Sequence, residues 1–183
     1  MDWNEDGKKD LLVGDSLGSL WIFMNVGTDA QPENDHTPTG ANCFFTGQGS
    51  NGGSVGENDV DGGETTLLSP SYDLSGLSDP TFSYWRWYSN SAGASPNADT
   101  FTVDISDDGG STWTTVEVVG PTGNEVNGGW IQHQFQAASL ISLTNQVRLR
   151  FRASDLGSGS IVEAAIDDLR VEDRDCATCG AVT

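Results

Sequence analysis

No window of 12 or more residues in this chain keeps a convincing apolar period of 3.6 residues, so helices are expected to be few. Apolar and polar residues alternate instead over short runs, punctuated by Gly, Asn, Asp, Ser and Pro. The runs are 43–47, 65–69, 82–88, 101–105, 113–119, 130–135, 146–152 and 161–171. Period-two alternation turns one face of each strand toward a core and the other toward water. About eight such strands suit two packed sheets rather than one. The expected fold class is all-β: a two-sheet antiparallel jelly-roll β-sandwich with an N-terminal β-hairpin extension. The 23 glycines fit this reading, because tight turns need residues that tolerate positive φ.

The most aromatic run is Phe82-Ser83-Tyr84-Trp85-Arg86-Trp87-Tyr88. Trp85 and Trp87 share one face of a strand, and Tyr84, Arg86 and Tyr88 share the other. The run reads first as a core strand. Whichever face is not core can present aromatic rings to sugars, which makes Trp85, Trp87, Tyr84 and Tyr88 the ligand-binding candidates. Arg148, Arg150 and Arg152 alternate with Val147, Leu149 and Phe151 and form an outward stripe, expected to pair with acids such as Asp104 or Glu117.

The formal net charge is −19, from 27 acids and 8 bases. Such a surface repels nucleic-acid phosphates and anionic membranes, and it suits divalent cations held by clustered carboxylates. No apolar run is long enough to insert in a membrane. Cys176 and Cys179 form a Cys-x-x-Cys, while Cys43 stands alone. Zinc spacing is lacking, so the cysteines read as structural disulfide candidates in an oxidising, extracellular compartment, with the pairing open.

Near the start, Asp2, Asn4, Asp6 and Asp10 fall at positions 1, 3, 5 and 9 of an EF-hand-like loop, with Gly7 at the turn and the Lys8 carbonyl at position 7. Position 12 is Val13, so the bidentate acid is missing. Residues 11–14 and 19–26 then read as a hairpin. This segment resembles an FG-GAP/VCBS-type repeat, a resemblance that implies calcium in the acidic loop. A single such unit buries little core, so it is expected to pack on the following domain or on another chain.

A second resemblance is carried by Gln31-Pro32-Glu33-Asn34-Asp35-His36, Thr46-Gly47-Gln48-Gly49, Asn58-Asp59-Val60-Asp61-Gly62-Gly63, Ser69-Pro70, Asp73-Leu74-Ser75-Gly76 and Glu163-Ala164-Ala165-Ile166-Asp167-Asp168. Together these are similar to MAM-like or carbohydrate-module-like jelly rolls of large secreted bacterial proteins. The resemblance implies a non-catalytic accessory domain with a structural calcium. First and last jelly-roll strands commonly pair, so Asp59 and Asp61 are expected to meet Asp167 and Asp168 around one Ca2+, with Glu163 a further ligand. The expected organisation is residues 1–30 as calcium loop and hairpin, 31–174 as the sandwich, and 175–183 as a Cys-containing tail.

Ser106-Asp107-Asp108-Gly109-Gly110-Ser111-Thr112-Trp113 matches an Asp-box turn, in which Asp108 bonds turn amides and Trp113 packs inward. No nucleophile elbow, His-Glu-x-x-His or phosphate loop is present, so the chain is not read as an enzyme. The leading expectation is a calcium-binding extracellular accessory or adhesion module that meets a glycan or a cell-surface protein. The alternatives are a glycan-binding module, and a self-assembling subunit that exchanges its N-terminal hairpin with other copies of itself.

Overall fold

The structure, a computed structural model, describes residues 11–14, 20–23, 30–32, 35–37, 39–40, 42–47, 56–157 and 159–174. β1 (Leu11–Gly14) and β2 (Leu20–Phe23) pair antiparallel in a sheet of their own, with Leu11 opposite Phe23. The other eight strands build the sandwich. β3 (Phe44–Phe45), β5 (Pro80–Gly93), β8 (Ile131–Gln136) and β10 (Ser160–Asp173) form the front sheet, ordered β3-β10-β5-β8. β4 (Gly63–Leu68), β6 (Phe101–Ser106), β7 (Thr114–Val119) and β9 (Arg148–Asp155) form the back sheet, ordered β4-β9-β6-β7. All pairings are antiparallel, as expected for a jelly roll.

The core lies between the sheets, and the strand alternation sets its membership. Phe82, Tyr84 and Tyr88 of β5 and Val162, Ala164 and Ile166 of β10 meet Phe101, Val103 and Ile105 of β6 and Leu149, Phe151 and Ala153 of β9. Tyr84 stands edge-on to Phe151 at 5.2 Å, and Tyr88 lies 5.8 Å from Phe101. The phase of β5 also drives Arg86 inward between the two tyrosines, where it is 3% exposed. Its charge is met by Glu117 of the back sheet and by the turn after β7: Arg86 Nε donates to both Glu117 oxygens at 3.0 and 3.1 Å, and Arg86 Nη2 pairs with Glu125. Tyr84 donates to Glu117 at 2.6 Å, and His133 Nδ1 lies 3.2 Å from it. A register shift in the β6–β7 pairing between Val103 and Asp104 accompanies the inward turn of Glu117.

On one side the sandwich is open. A cleft of about 160 Å³ lies between β3 and β4, lined by Phe44, Phe45, Leu67, Phe151 and Ile166 among others. Phe44 and Phe45 are exposed there. Among the described residues no helix is long and apolar enough to cross a membrane.

Candidate functional site

The outer face of the front sheet concentrates aromatic groups. Trp85 and Trp87 point outward from β5, so the face left for a ligand is the tryptophan face. Tyr84 and Tyr88, the other two ligand candidates, are 0% and 1% exposed and belong to the core. Their assignment is corrected by the phase they share with Phe82, whose ring cannot face water without opening the sandwich. Ala30 and His36, ahead of β3 in the chain, lie over this outer face. His36 stacks on Trp85 with ring centroids 3.6 Å apart, and Trp130 stands edge-on to both His36 and Trp87, at 6.1 and 6.0 Å. Trp87 Nε1 donates to the Ala30 carbonyl at 2.8 Å. Gly128, at φ 78°, leaves room for that indole, since a Cβ there would lie 2.7 Å from the Trp87 ring. The neighbouring strand β8 adds Gln132 and Gln134, exposed and paired in register with Trp85 and Ser83. The result is a half-buried cluster of flat rings beside a row of amides.

The acids of β10 hold this cover in place. The strand bulges between Asp167 and Arg170, and Asp168 takes φ 50°, a conformation Asp tolerates better than most residues. Asp167 accepts the His36 backbone N–H at 2.9 Å. Asp168 meets His36 Nδ1 at 2.9 Å and accepts Thr37 Oγ1 at 2.7 Å. Those hydrogen bonds, His36 first, hold the Asp168 carboxyl below its ordinary range.

Asp59 and Asp61 do not join them. Asp59 sits beside Val162, where Val60 N–H donates to the Val162 carbonyl at 3.0 Å. Five residues of extended strand separate Val162 from Asp167, on the order of 16 Å. The expectation of one shared site for Asp59, Asp61, Asp167 and Asp168 is therefore corrected: the 56–62 loop meets β10 at its start and the Asp167–Asp168 bulge lies well beyond. Among the described residues no three His, Cys, Asp or Glu side chains gather as a metal cluster. Asp2, Asn4, Asp6, Lys8 and Asp10 lie outside the described residues, as do Glu33, Cys176 and Cys179. Cys43 is half-buried and has no disulfide partner among the described residues. Burial, then Asp167 and Asp35, push its thiol up, which disfavours the reactive thiolate.

Glu163 differs from the other acids. It is 1% exposed on the outward side of β10 and has no cationic partner among the described residues. Thr46 donates its hydroxyl to one carboxylate oxygen, and the Gln31 amide lies against both the other oxygen and the Gly47 carbonyl. Gly47 allows the 58 loop to approach, since a Cβ there would lie 1.9 Å from the Asn58 carbonyl oxygen. Burial pushes the Glu163 carboxyl up to about 7, against the pull of the Thr46 and Gln31 hydrogen bonds and with a further push from Asp59. Sequence reasoning singled out Glu163 but missed Gln31, Thr46 and Gly47 around it, and it missed Trp130. The Gly128-Gly129 pair ahead of Trp130 was the available signal, because it frees the chain to fold back over Trp87.

The back sheet carries the arginine stripe. Asp104, buried on its outer face, accepts from Arg150 at 2.9 Å and Arg152 at 3.0 Å, and Arg152 also reaches Glu64 at 3.1 Å. The pairing with Asp104 is as expected, whereas Glu117 is turned inward to Arg86. Trp113 does not pack inward: it lies on the outer face beneath Arg150, whose guanidinium carbon is 4.2 Å from the ring centre. The turn before it is an Asp-box device, with Asp108 accepting the Ser111 and Thr112 amides at 2.9 Å each. Asp104→Ala leaves the half-covered Arg150 guanidinium without its carboxylate and Arg152 with Glu64 alone. It is expected to lower stability by about 1–3 kcal/mol in urea unfolding, and an unchanged midpoint would mean the stripe is held by solvent alone.

No protein-family model matches the chain, and no curated protein matches it. Solved structures do show a likeness. One is described as "CBM4 structure and function", with a TM-score of 0.34 at 13% identity, covering 60% of this chain and 72% of that one. Another is a non-crystalline cellulose specific carbohydrate-binding module, CBM28, with a TM-score of 0.40 at 10% identity, covering 93% of this chain and 85% of that one. At these scores the likeness carries no argument about what this chain binds.

Proposed function

We propose that this chain is a non-catalytic glycan-binding β-sandwich module of an extracellular protein, with its ligand on the outer face of the front sheet. One observation carries the reading: Trp85, Trp87 and Trp130 form a connected ring cluster on a sheet face, with Gln132 and Gln134 on the next strand. Sugar rings offer apolar C–H faces edged by hydroxyls. Indoles take the first, and amides donate to and accept from the second. The Asp167 and Asp168 anchors keep His36 over Trp85, so the surface is fixed before a ligand arrives. The accessory or adhesion role follows from the same face when the glycan lies on a cell or matrix surface. Exchange of the N-terminal hairpin between copies is the alternative, and a monomer by light scattering at high concentration would count against it.

The test is titration with soluble glucan, xylan and mannan oligosaccharides, read by tryptophan fluorescence and by affinity electrophoresis. Trp130→Ala is expected to weaken binding by about 1–2 kcal/mol, and Trp113→Ala on the opposite sheet to leave it unchanged. A panel to which the unaltered chain is indifferent would sink the reading.

Calcium, implied by the sequence resemblance, has a fitting donor set at Glu163. A buried carboxylate, a hydroxyl, a backbone carbonyl and a side-chain amide that can rotate to present its oxygen are all hard oxygen donors. Bound there, the ion would supply the positive charge that Glu163 lacks and fasten residues 31 and 46–47 to β10.

A further inference from the structure

A second group of buried oxygens lies inside the sandwich. β6 and β9 pair Phe101 with Ala153, so two residues further along the same register sets Asp99 opposite Asp155. Both face inward, at 4% and 3% exposure. Leu156 N–H donates to Asp99 Oδ1 at 2.9 Å, and Gly62 N–H to Asp155 Oδ2 at 3.2 Å. Their other oxygens, Asp99 Oδ2 and Asp155 Oδ1, are buried without a hydrogen-bond partner. From the facing sheet, β5 directs Tyr88 and Asn90 at the same place. Asn90 Nδ2 donates to the Asp99 carbonyl at 2.6 Å and to the Pro121 carbonyl at 3.2 Å, which leaves Asn90 Oδ1 buried and unpartnered. The Tyr88 hydroxyl lies close to the Asn90 side chain without a well-directed hydrogen bond. The Tyr88 ring and the Asp99 backbone close on the same turn, since a Cβ at Gly120 would lie 2.8 Å from the Asp99 carbonyl oxygen and 3.4 Å from Tyr88 Cε1.

Two carboxylates and two neutral oxygens thus share one buried end of the sandwich. Neither acid has an ion-pair partner among the described residues. Leaving such charges uncompensated in a dry interior is costly. A water molecule supplies protons but no charge, whereas a cation answers both needs. We infer that Asp99, Asp155, Asn90 and Tyr88 form a second cation site, distinct from Glu163, that takes a hard divalent ion of the calcium type. Two carboxylates balance a doubly charged ion, an all-oxygen donor set excludes a preference for zinc or copper, and waters complete the coordination shell. The bound ion would tie the ends of β5, β6 and β9 together across the two sheets.

The experiment uses the full chain carrying Glu163→Gln, so that the Glu163 group takes no part, with and without Asp99→Asn. Calcium per chain is counted by equilibrium dialysis after exhaustive chelation, and melting is followed in calcium and in chelator. With Asp99→Asn the count is expected to fall by one ion per chain, melting in calcium to drop, and melting in chelator to stay level or rise. An unchanged count together with higher melting in both buffers would overturn the proposal, because the substitution would then only have relieved a buried charge. If Asp99→Asn does not fold, terbium luminescence decides. Terbium at this site is excited through the Tyr88 phenol, and Tyr88→Phe is expected to remove the tyrosine component of the excitation spectrum and to weaken terbium binding by about tenfold. An excitation spectrum and affinity unaffected by Tyr88→Phe would overturn it equally. Magnesium and manganese, run in parallel, report the ion preference.

Discussion

Arg86→Met is expected to destabilise the fold by about 3–5 kcal/mol, measured by urea unfolding at neutral pH. The guanidinium is buried between Tyr84 and Tyr88, and its Nη1 has no partner even in the intact protein. Its removal strands Glu117, whose side chain is 10% exposed and whose remaining partners are the Tyr84 hydroxyl and His133. Most of the loss is therefore the penalty of an uncompensated buried carboxylate, not the intrinsic worth of the pair. The double variant Arg86→Met/Glu117→Leu separates the two. It is expected to regain more than half of what the single change loses, since two apolar groups replace two charges in a space of similar size. A double variant as unstable as the sum of the singles would mean that the two charges are not coupled and that each is compensated by other groups. Glu125 is half-exposed, so Glu125→Gln should change little.

The second large effect is a pH dependence centred on Glu163. Its carboxyl is raised from the usual 4.5 to about 7. Between those values the folded chain holds a proton that the unfolded chain has released, so stability falls as pH rises through this window and levels off above it. The whole drop is about 3 kcal/mol. It is expected in chelator, in unfolding curves taken from pH 4.5 to 8. Asp59, the nearest facing acid, is also raised, by burial and then by Asp61, and slopes the same way. Glu163→Gln should flatten the curve and exceed the unaltered protein at pH 8. A calcium ion bound at Glu163 should also flatten it, because the bound ion favours the ionised form. A curve that is flat in chelator would show that the Glu163 carboxylate finds its compensation elsewhere. A slope unchanged by saturating calcium would show that the ion does not sit there.

Much of the fold is visible in the alternation. The strands of the sandwich fall where period-two runs meet turn residues, and the two faces of residues 82–88 separate correctly into Tyr84, Arg86 and Tyr88 against Trp85 and Trp87. Which face is core could not be read from the run alone, because Phe82, Tyr84 and Tyr88 share their face with a charged Arg86 while the other face carries the two larger indoles, Trp85 and Trp87. Phase is decided by partners: Val162, Ala164 and Ile166 on β10 and Leu149, Phe151 and Ala153 on β9 leave the inside to the tyrosines. Arg86 shows the same limit from the other side. A charged residue in an inward position is legible only once Glu117 is known to turn inward too, and that turn depends on a register shift no local sequence announces. The acids illustrate distance. Asp59 and Asp167 belong to the loop and strand expected to meet, yet a strand of 14 residues has two ends, and they sit at different places along it.

The contact of Trp87 with Trp130, with His36 bridging to Trp85, also gives the chain an optical signature of its own. Indoles in contact couple their excited states, so this cluster should yield a strong, signed near-ultraviolet circular dichroism band. The imidazole on Trp85 is a short-range quencher of its emission. Lifting of Ala30, His36 and Thr37 from the front sheet would therefore register as a brightening and a loss of the coupled band while the amide signal of the sandwich stays constant. Detachment of the cover and melting of the core can be timed separately, without a label, in one sample.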